Sequence, residues 1–168
     1  MEKNYALITG GSSGIGFEIA KDLANRGYNI ILVSRNEQNL QDCCKHLSEE
    51  FNVSSDYISS DLANKESVQH IYQTTKERGY NVEILINNAG YGIASPFHET
   101  SLEDEEKFVR VLATSVISLT KLFVRDMVEK KAGKIMIVSS VAAFAPPSAI
   151  QVLYGPIKTF MNRFSDAK

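Results

Sequence analysis

Eight residues near the start of the chain, Thr9-Gly10-Gly11-Ser12-Ser13-Gly14-Ile15-Gly16, restrict its possible folds more than any other stretch. They follow the apolar run Tyr5-Ala6-Leu7-Ile8. They open a segment in which Ile15, Ile19, Ala20, Leu23 and Ala24 recur at helical spacing. A buried strand therefore turns here into a helix. Glycines let such a turn adopt positive φ and approach a ligand closely, while free N–H groups and the helix dipole favour an anion. The stretch departs from G-x-G-x-x-G: counted from Gly14, a third glycine or alanine would stand at 19, where the chain has Ile19. What is present is T-G-x-x-x-G-x-G, which taken alone also describes a strand-to-helix turn with no ligand.

The rest of the chain repeats the alternation. Strands are predicted at Asn4 to Thr9, Asn29 to Ser34, Val53 to Ser59, Glu83 to Asn87 and Lys134 to Ser139. Helices are predicted at Ile15 to Arg26, Asn36 to Phe51, Lys65 to Arg78, Leu102 to Lys131, and from Leu153 to the end. Near-continuous apolar strands separated by helices imply a parallel sheet covered on both faces, with three layers in the order α/β/α. Right-handed crossovers make it doubly wound and place a ligand at the carboxyl ends of its strands. With 168 residues the chain suits one domain, residues 1–168.

Composition excludes several classes of function. A formal net charge of -2 gives no basic excess for nucleic acid. No apolar run approaches 18 residues, so no membrane partner is expected. The two cysteines, Cys43 and Cys44, are adjacent, a poor arrangement for a disulfide or a metal site. A reducing, cytoplasmic setting is the expectation.

The strand ends supply the candidate site. After the second strand come Ser34 and Arg35, with no acidic residue to accept from a ribose 2'-hydroxyl. Arg35 can instead meet a 2'-phosphate, which favours NADP over NAD, although a surface arginine at a strand end is common. After the third strand, Asp61 is placed to accept from an adenine amino group or to cap the next helix, and Leu62 follows it. After the fourth come Asn88, Ala89 and Gly90, a sequence that lets a cofactor lie on the backbone and is also a plain turn signal. Tyr154 and Lys158 share one helix face. An ammonium ~4 Å from a phenol contributes on the order of 4 kcal/mol at an effective dielectric of ~20, about three pKa units. That would bring a tyrosine to near 7 and fit it for general acid or base work, with Ser140 holding a carbonyl oxygen beside it. Tyrosine and lysine four apart also occur by accident.

Together these residues resemble the short-chain dehydrogenase/reductase family: T-G-G-S-S-G-I-G, then N-N-A-G, then a serine after the fifth strand, then Y-x-x-x-K. The resemblance covers nearly the whole chain. It implies a Rossmann-type sheet and hydride transfer between a nicotinamide and an alcohol or ketone. Tyr154 would be the proton donor or acceptor, Ser140 the residue that positions the substrate oxygen, and Lys158 the group that lowers the tyrosine pKa and holds the nicotinamide ribose. Gly10, Ser12, Ser13, Gly14, Ile15 and Gly16 would line the pyrophosphate and ribose. Ser34 and Arg35 would meet the 2'-phosphate of NADP (NADPH), Asp61 and Leu62 the adenine, and Asn88, Ala89 and Gly90 the adenosine ribose. It also implies a homodimer built on the last two long helices, where Phe123, Met127, Phe160, Met161 and Phe164 suggest a second apolar stripe.

Three departures from the family pattern stand out. Aligned on Leu119-Thr120, the chain has Leu112 where relatives have an asparagine that supports a proton relay to the lysine. Thr114 and Ser115 are the nearest hydroxyls. Gly155-Pro156-Ile157 fills the Y-x-x-x-K motif, and proline in a first helical turn costs little. The sequence ends about ten residues past Lys158, so the family's last strands and substrate-covering segment are expected to be absent. The alternative to an oxidoreductase is thus a catalytically incompetent nucleotide-binding or oligomer-forming remnant of one.

Overall fold

β1 (Asn4–Thr9) is the centre of a five-stranded parallel sheet with strand order β3-β2-β1-β4-β5. The other strands are β2 (Asn29–Ser34), β3 (Ser55–Ser59), β4 (Asn81–Asn87) and β5 (Lys134–Ile137). A computed structural model describes residues 4–166 of the chain. Strand order reverses on either side of β1, and that reversal opens a crevice at the carboxyl end of the sheet.

The strands alternate their side chains between two cores, as period 2 requires. Leu7, Ile31, Val33 and Leu85 join Phe108, Leu112, Phe123, Ile157 and Met161 on one face. Ala6, Ile8, Ile30, Leu32, Ile84 and Ile86 join Ala20, Leu40 and Leu47 on the other. α1 (Gly14–Asn25) and α2 (Glu37–Phe51) therefore cover one face. α3 (Ser67–Glu77), α4 (Leu102–Val109), α5 (Ser115–Lys130) and α6 (Tyr154–Asp166) cover the other. Each fully buried Leu, Ile or Phe contributes roughly 1.5–3 kcal/mol relative to exposure, so this two-sided burial is the main force holding the layers.

The expected elements are present, with shifted ends. β5 stops at Ile137, two residues early, and β4 begins at Asn81, two residues early. The single long helix expected from Leu102 is interrupted by one π-helical turn at Arg110–Thr114. Inside it Val111, Leu112 and Ala113 are all buried, which the wider turn permits by rotating one more residue towards the sheet. Ser115 Oγ donates to Val111 O at 2.7 Å across the same turn. The expectation for the last helix beyond Asp166 lies outside the described residues.

The expected second apolar stripe is corrected in large part. Phe123, Met127 and Met161 are buried in this chain's own core. Phe160 is half exposed and stacks on Phe164, their ring centroids 6.3 Å apart. Among the described residues no helix is long and apolar enough to cross a membrane.

Candidate active site

The turn from β1 into α1 is built by close approach. Gly10 has φ +63°, and a Cβ there would lie 2.9 Å from Ala89 Cα. A Cβ on Gly16 would come within 2.4 Å of both Gly10 O and the Asn88 amide nitrogen. Asn88 fills that contact: its Nδ2 donates to Thr9 O at 3.0 Å and Gly10 O at 3.1 Å. Its backbone N–H and that of Ala89 both donate to Thr9 Oγ1, at 3.0 and 3.1 Å. The ends of β1 and β4 are thus laced together, and both donors of the Asn88 amide are used inside the protein.

Beside this brace lies a cleft of about 1000 Å³ along the carboxyl ends of the strands. It brings together Gly10, Ser12, Ser13 and Ile15 from the turn, Ser34 and Arg35 from β2, Asp61 and Leu62 after β3, Asn88, Ala89 and Gly90 after β4, and Tyr154 and Lys158 from α6. Three predicted residues do not line it: Gly14, Gly16 and Ser140. Gly16 acts by what it leaves out, since Gly10 O and the Asn88 amide fill the space a Cβ would need.

At the β2 end, Ser12 Oγ donates to Ser34 Oγ at 2.9 Å, fastening the turn to the second strand. The exposed guanidinium of Arg35 pairs with no carboxylate among the described residues. Asp61 does not cap α3. Its Oδ1 instead accepts from the Ala63 N–H at 2.9 Å within the turn after β3.

At the other end, Tyr154 opens α6 and Lys158 follows one turn later. The Lys158 ammonium lies 5.7 Å from the centroid of the Tyr154 ring. Its side chain is buried and donates to Val138 O at 2.8 Å, and that burial pulls its pKa below the usual 10.5. An ammonium has three donors, and a buried one with a single acceptor is poised to take more. Ser139, which sequence reasoning passed over, lines the cleft, and its buried Oγ has no hydrogen-bond partner among the described residues. Ser140 begins a short 3-10 turn, where its Oγ accepts from the Ala142 N–H at 3.1 Å. That bond uses the oxygen and leaves the hydroxyl proton available. Tyr91, Lys107 and Gln151 also line the cleft. No motif marks them.

These features fit a dinucleotide: a glycine turn with no room for a Cβ at Gly10 or Gly16, a guanidinium without a carboxylate partner at the β2 end, a buried ammonium with one acceptor, and a buried hydroxyl with none among the described residues. Comparison with known proteins agrees. The family model for "short chain dehydrogenase" matches residues 4–167. The chain belongs to the short-chain dehydrogenase family.

A hydroxysteroid dehydrogenase-like protein 1 from Gallus gallus is 34% identical over 97% of this chain and 49% of its own length. A very-long-chain 3-oxoacyl-CoA reductase from Bos taurus is 32% identical over 96% of this chain and 52% of its own. The chain thus spans about half the length of these curated relatives. Among solved structures, a bulky-bulky ketone specific alcohol dehydrogenase from Comamonas testosteroni aligns with a TM-score of 0.89 at 31% identity, over 96% of this chain and 64% of that one. A short-chain dehydrogenase from Sphingobium yanoikuyae in complex with NADPH aligns with a TM-score of 0.90 at 29% identity, over 97% and 63%.

Proposed function

We propose that this protein is an NADP(H)-dependent oxidoreductase that interconverts a ketone and its alcohol. The observation that carries the reading is that one cleft joins the phosphate-type turn and Arg35 to Tyr154 and the buried Lys158. The relatives named above, a 3-oxoacyl-CoA reductase and a ketone-specific alcohol dehydrogenase among them, support it.

When bound, the nicotinamide supplies or accepts the hydride at the carbonyl carbon. The residues of this chain hold the cofactor and handle the proton. The turn at Gly10 to Ile15 offers N–H groups and the α1 dipole to the pyrophosphate. Arg35 offers a charge-assisted contact to the 2'-phosphate, the feature that favours NADP over NAD. Tyr154 gives its hydroxyl proton to the substrate oxygen during reduction and takes it back during oxidation. Lys158 stabilises the tyrosinate and presents its remaining N–H groups to the nicotinamide ribose. Ser139 and Ser140 offer hydroxyls to the substrate oxygen. Replacing each by alanine in turn identifies which one positions it.

The test is Tyr154→Phe. Turnover of ketones should fall by roughly 10²-fold or more, the range of a general acid, while NADPH binding by calorimetry stays within about threefold. Unchanged turnover would defeat the assignment. One observation favours the second reading, a nucleotide-binding remnant. The position aligned with the family's relay asparagine is Leu112, and it is buried against the underside of the site near Gly90. That reading predicts NADPH binding with no turnover on any ketone.

Self-association belongs to the same proposal, on the exposed Ile117 and Val128 of α5 and Phe160 of α6. Light scattering should return a dimer mass, and a monomer mass would remove it.

A further inference from the structure

Gln151 stands at the catalytic end of the cleft in a backbone conformation that its residue type rarely adopts, with φ +73°. Such conformations persist where the surroundings impose them, and they gather at ligand sites. The chain is held on both sides. Ile150 pairs with Pro96 in an antiparallel bridge, and the Gln151 carbonyl accepts from the Tyr154 N–H at 3.1 Å. The side chain is thereby aimed rather than free to wander: it lies over Gly92, where a Cβ would come within 3.3 Å of Nε2.

The half-buried Gln151 lines the cleft together with Tyr154 and Lys158, and its amide has no hydrogen-bond partner among the described residues. Beside it is a recess of only about 10 Å³, walled by apolar side chains together with Ser95 and Glu105. An amide held in place at the edge of the cleft, with its donors and acceptor unspent, is a hydrogen-bonding group awaiting a partner.

We infer that Gln151 is a specificity-determining residue whose amide receives a second oxygen of the substrate, a carbonyl or hydroxyl a few bonds from the reacting carbon. The substrate class is therefore a ketone bearing a second oxygen function, as in a 3-oxo ester or a hydroxyketone. This rests on the oxidoreductase reading above. Gln151 contacts the substrate away from the reacting atoms, so its removal acts on binding more than on the chemical step.

The experiment measures NADPH-dependent reduction of three ketones of equal chain length: a 3-oxo ester, a hydroxyketone, and a ketone with no second oxygen. For Gln151→Leu, KM should rise about tenfold on at least one of the first two, with kcat changing far less. The loss on the plain ketone should be several-fold smaller. Gln151→Asn, which tolerates positive φ and withdraws the amide by one methylene, should show the same discrimination in weaker form. It serves if the leucine variant fails to fold, and thermal melting checks both. An equal loss on all three ketones, or no loss on any, overturns the inference and leaves the oxidoreductase reading standing. Hydride transfer to none of them by the unaltered protein overturns that reading, and the inference falls with it.

Discussion

In the proposed reading cofactor choice rests on Arg35, because the end of β2 offers no carboxylate to a ribose 2'-hydroxyl and one guanidinium without a carboxylate partner among the described residues. A hydrogen bond to a charged group contributes about 1.5–3 kcal/mol, a factor of roughly 10 to 150 in affinity. Arg35→Ala should weaken NADPH by that factor and leave NADH within about twofold, read by calorimetry at fixed salt. Equal losses for both cofactors would place Arg35 elsewhere than on the 2'-phosphate. The place of Arg35 at the end of β2, on the wall of the cleft, was legible from residue type and strand position alone. The serine was not. Sequence spacing pointed to Ser140, yet β5 ends at Ile137 and the chain then bends, so that Ser139 comes to line the cleft while Ser140 starts a 3-10 turn. No motif marks the bend that brings Ser139 into the cleft beside the expected Ser140. Gln151 was equally silent, because φ +73° at a glutamine comes from its tethers and not from its type.

At the scale of elements, the β1 turn and the β3 edge test two different forces. Gly16→Ala puts a methyl group where Gly10 O and the Asn88 amide already stand, and overpacking of that kind costs about 1–3 kcal/mol. Because the displaced Asn88 also braces Gly10, the variant should lose NADPH affinity as well as denaturant stability. A variant as stable as the parent would mean that the turn yields. At the sheet edge, Asp56 of β3 accepts from the Tyr80 hydroxyl and pairs with Arg78 at 2.7 Å, joining the strand to the chain beyond α3. Burial alone would raise its pKa, but the bonds from Tyr80 and the Tyr57 N–H, together with Arg78, outweigh it and hold the carboxyl below 3.8. A depressed carboxylate pKa contributes stability that is full above the unfolded value and is lost as pH falls through the folded one. Asp56→Asn should therefore lower the urea midpoint near neutral pH, and the gap to the parent should close in acid below 3.8. A gap that stays constant with pH would assign the loss to packing. Strand and helix centres were predictable because apolar spacing follows the two cores. The π turn at Arg110–Thr114 was not, since Arg-Val-Leu-Ala-Thr contains no helix breaker and nothing in its spacing marks the extra residue that the turn accommodates.

Across the whole molecule the cleft joins parts of the chain that are far apart in sequence, from the β1 turn to the first turn of α6. Within the fold, these ends are held by different means. The β1 turn is laced to β4 by Thr9 and Asn88, whereas α6 reaches the sheet through the edge strand β5, just past which Lys158 donates to Val138 O. β5 has four residues and, among the described residues, pairs on one side only, with β4, so the α6 end should open locally at lower free energy than β1. A ligand that touches both ends binds only the closed form and stabilises it by mass action, about 2.7 kcal/mol at a hundredfold excess over Kd. For a domain of this size that is a rise in Tm of roughly 5–10 °C. Saturating NADPH should produce such a rise, and should slow amide exchange in α6 as well as in the β1 turn. Arg35→Ala should reduce the rise at equal NADPH by removing contacts at the far end of the cleft. Protection confined to the β1 turn, with α6 exchanging as before, would mean that the cofactor occupies the phosphate end without engaging Tyr154 and Lys158. In that case the nucleotide-binding reading would displace the oxidoreductase one.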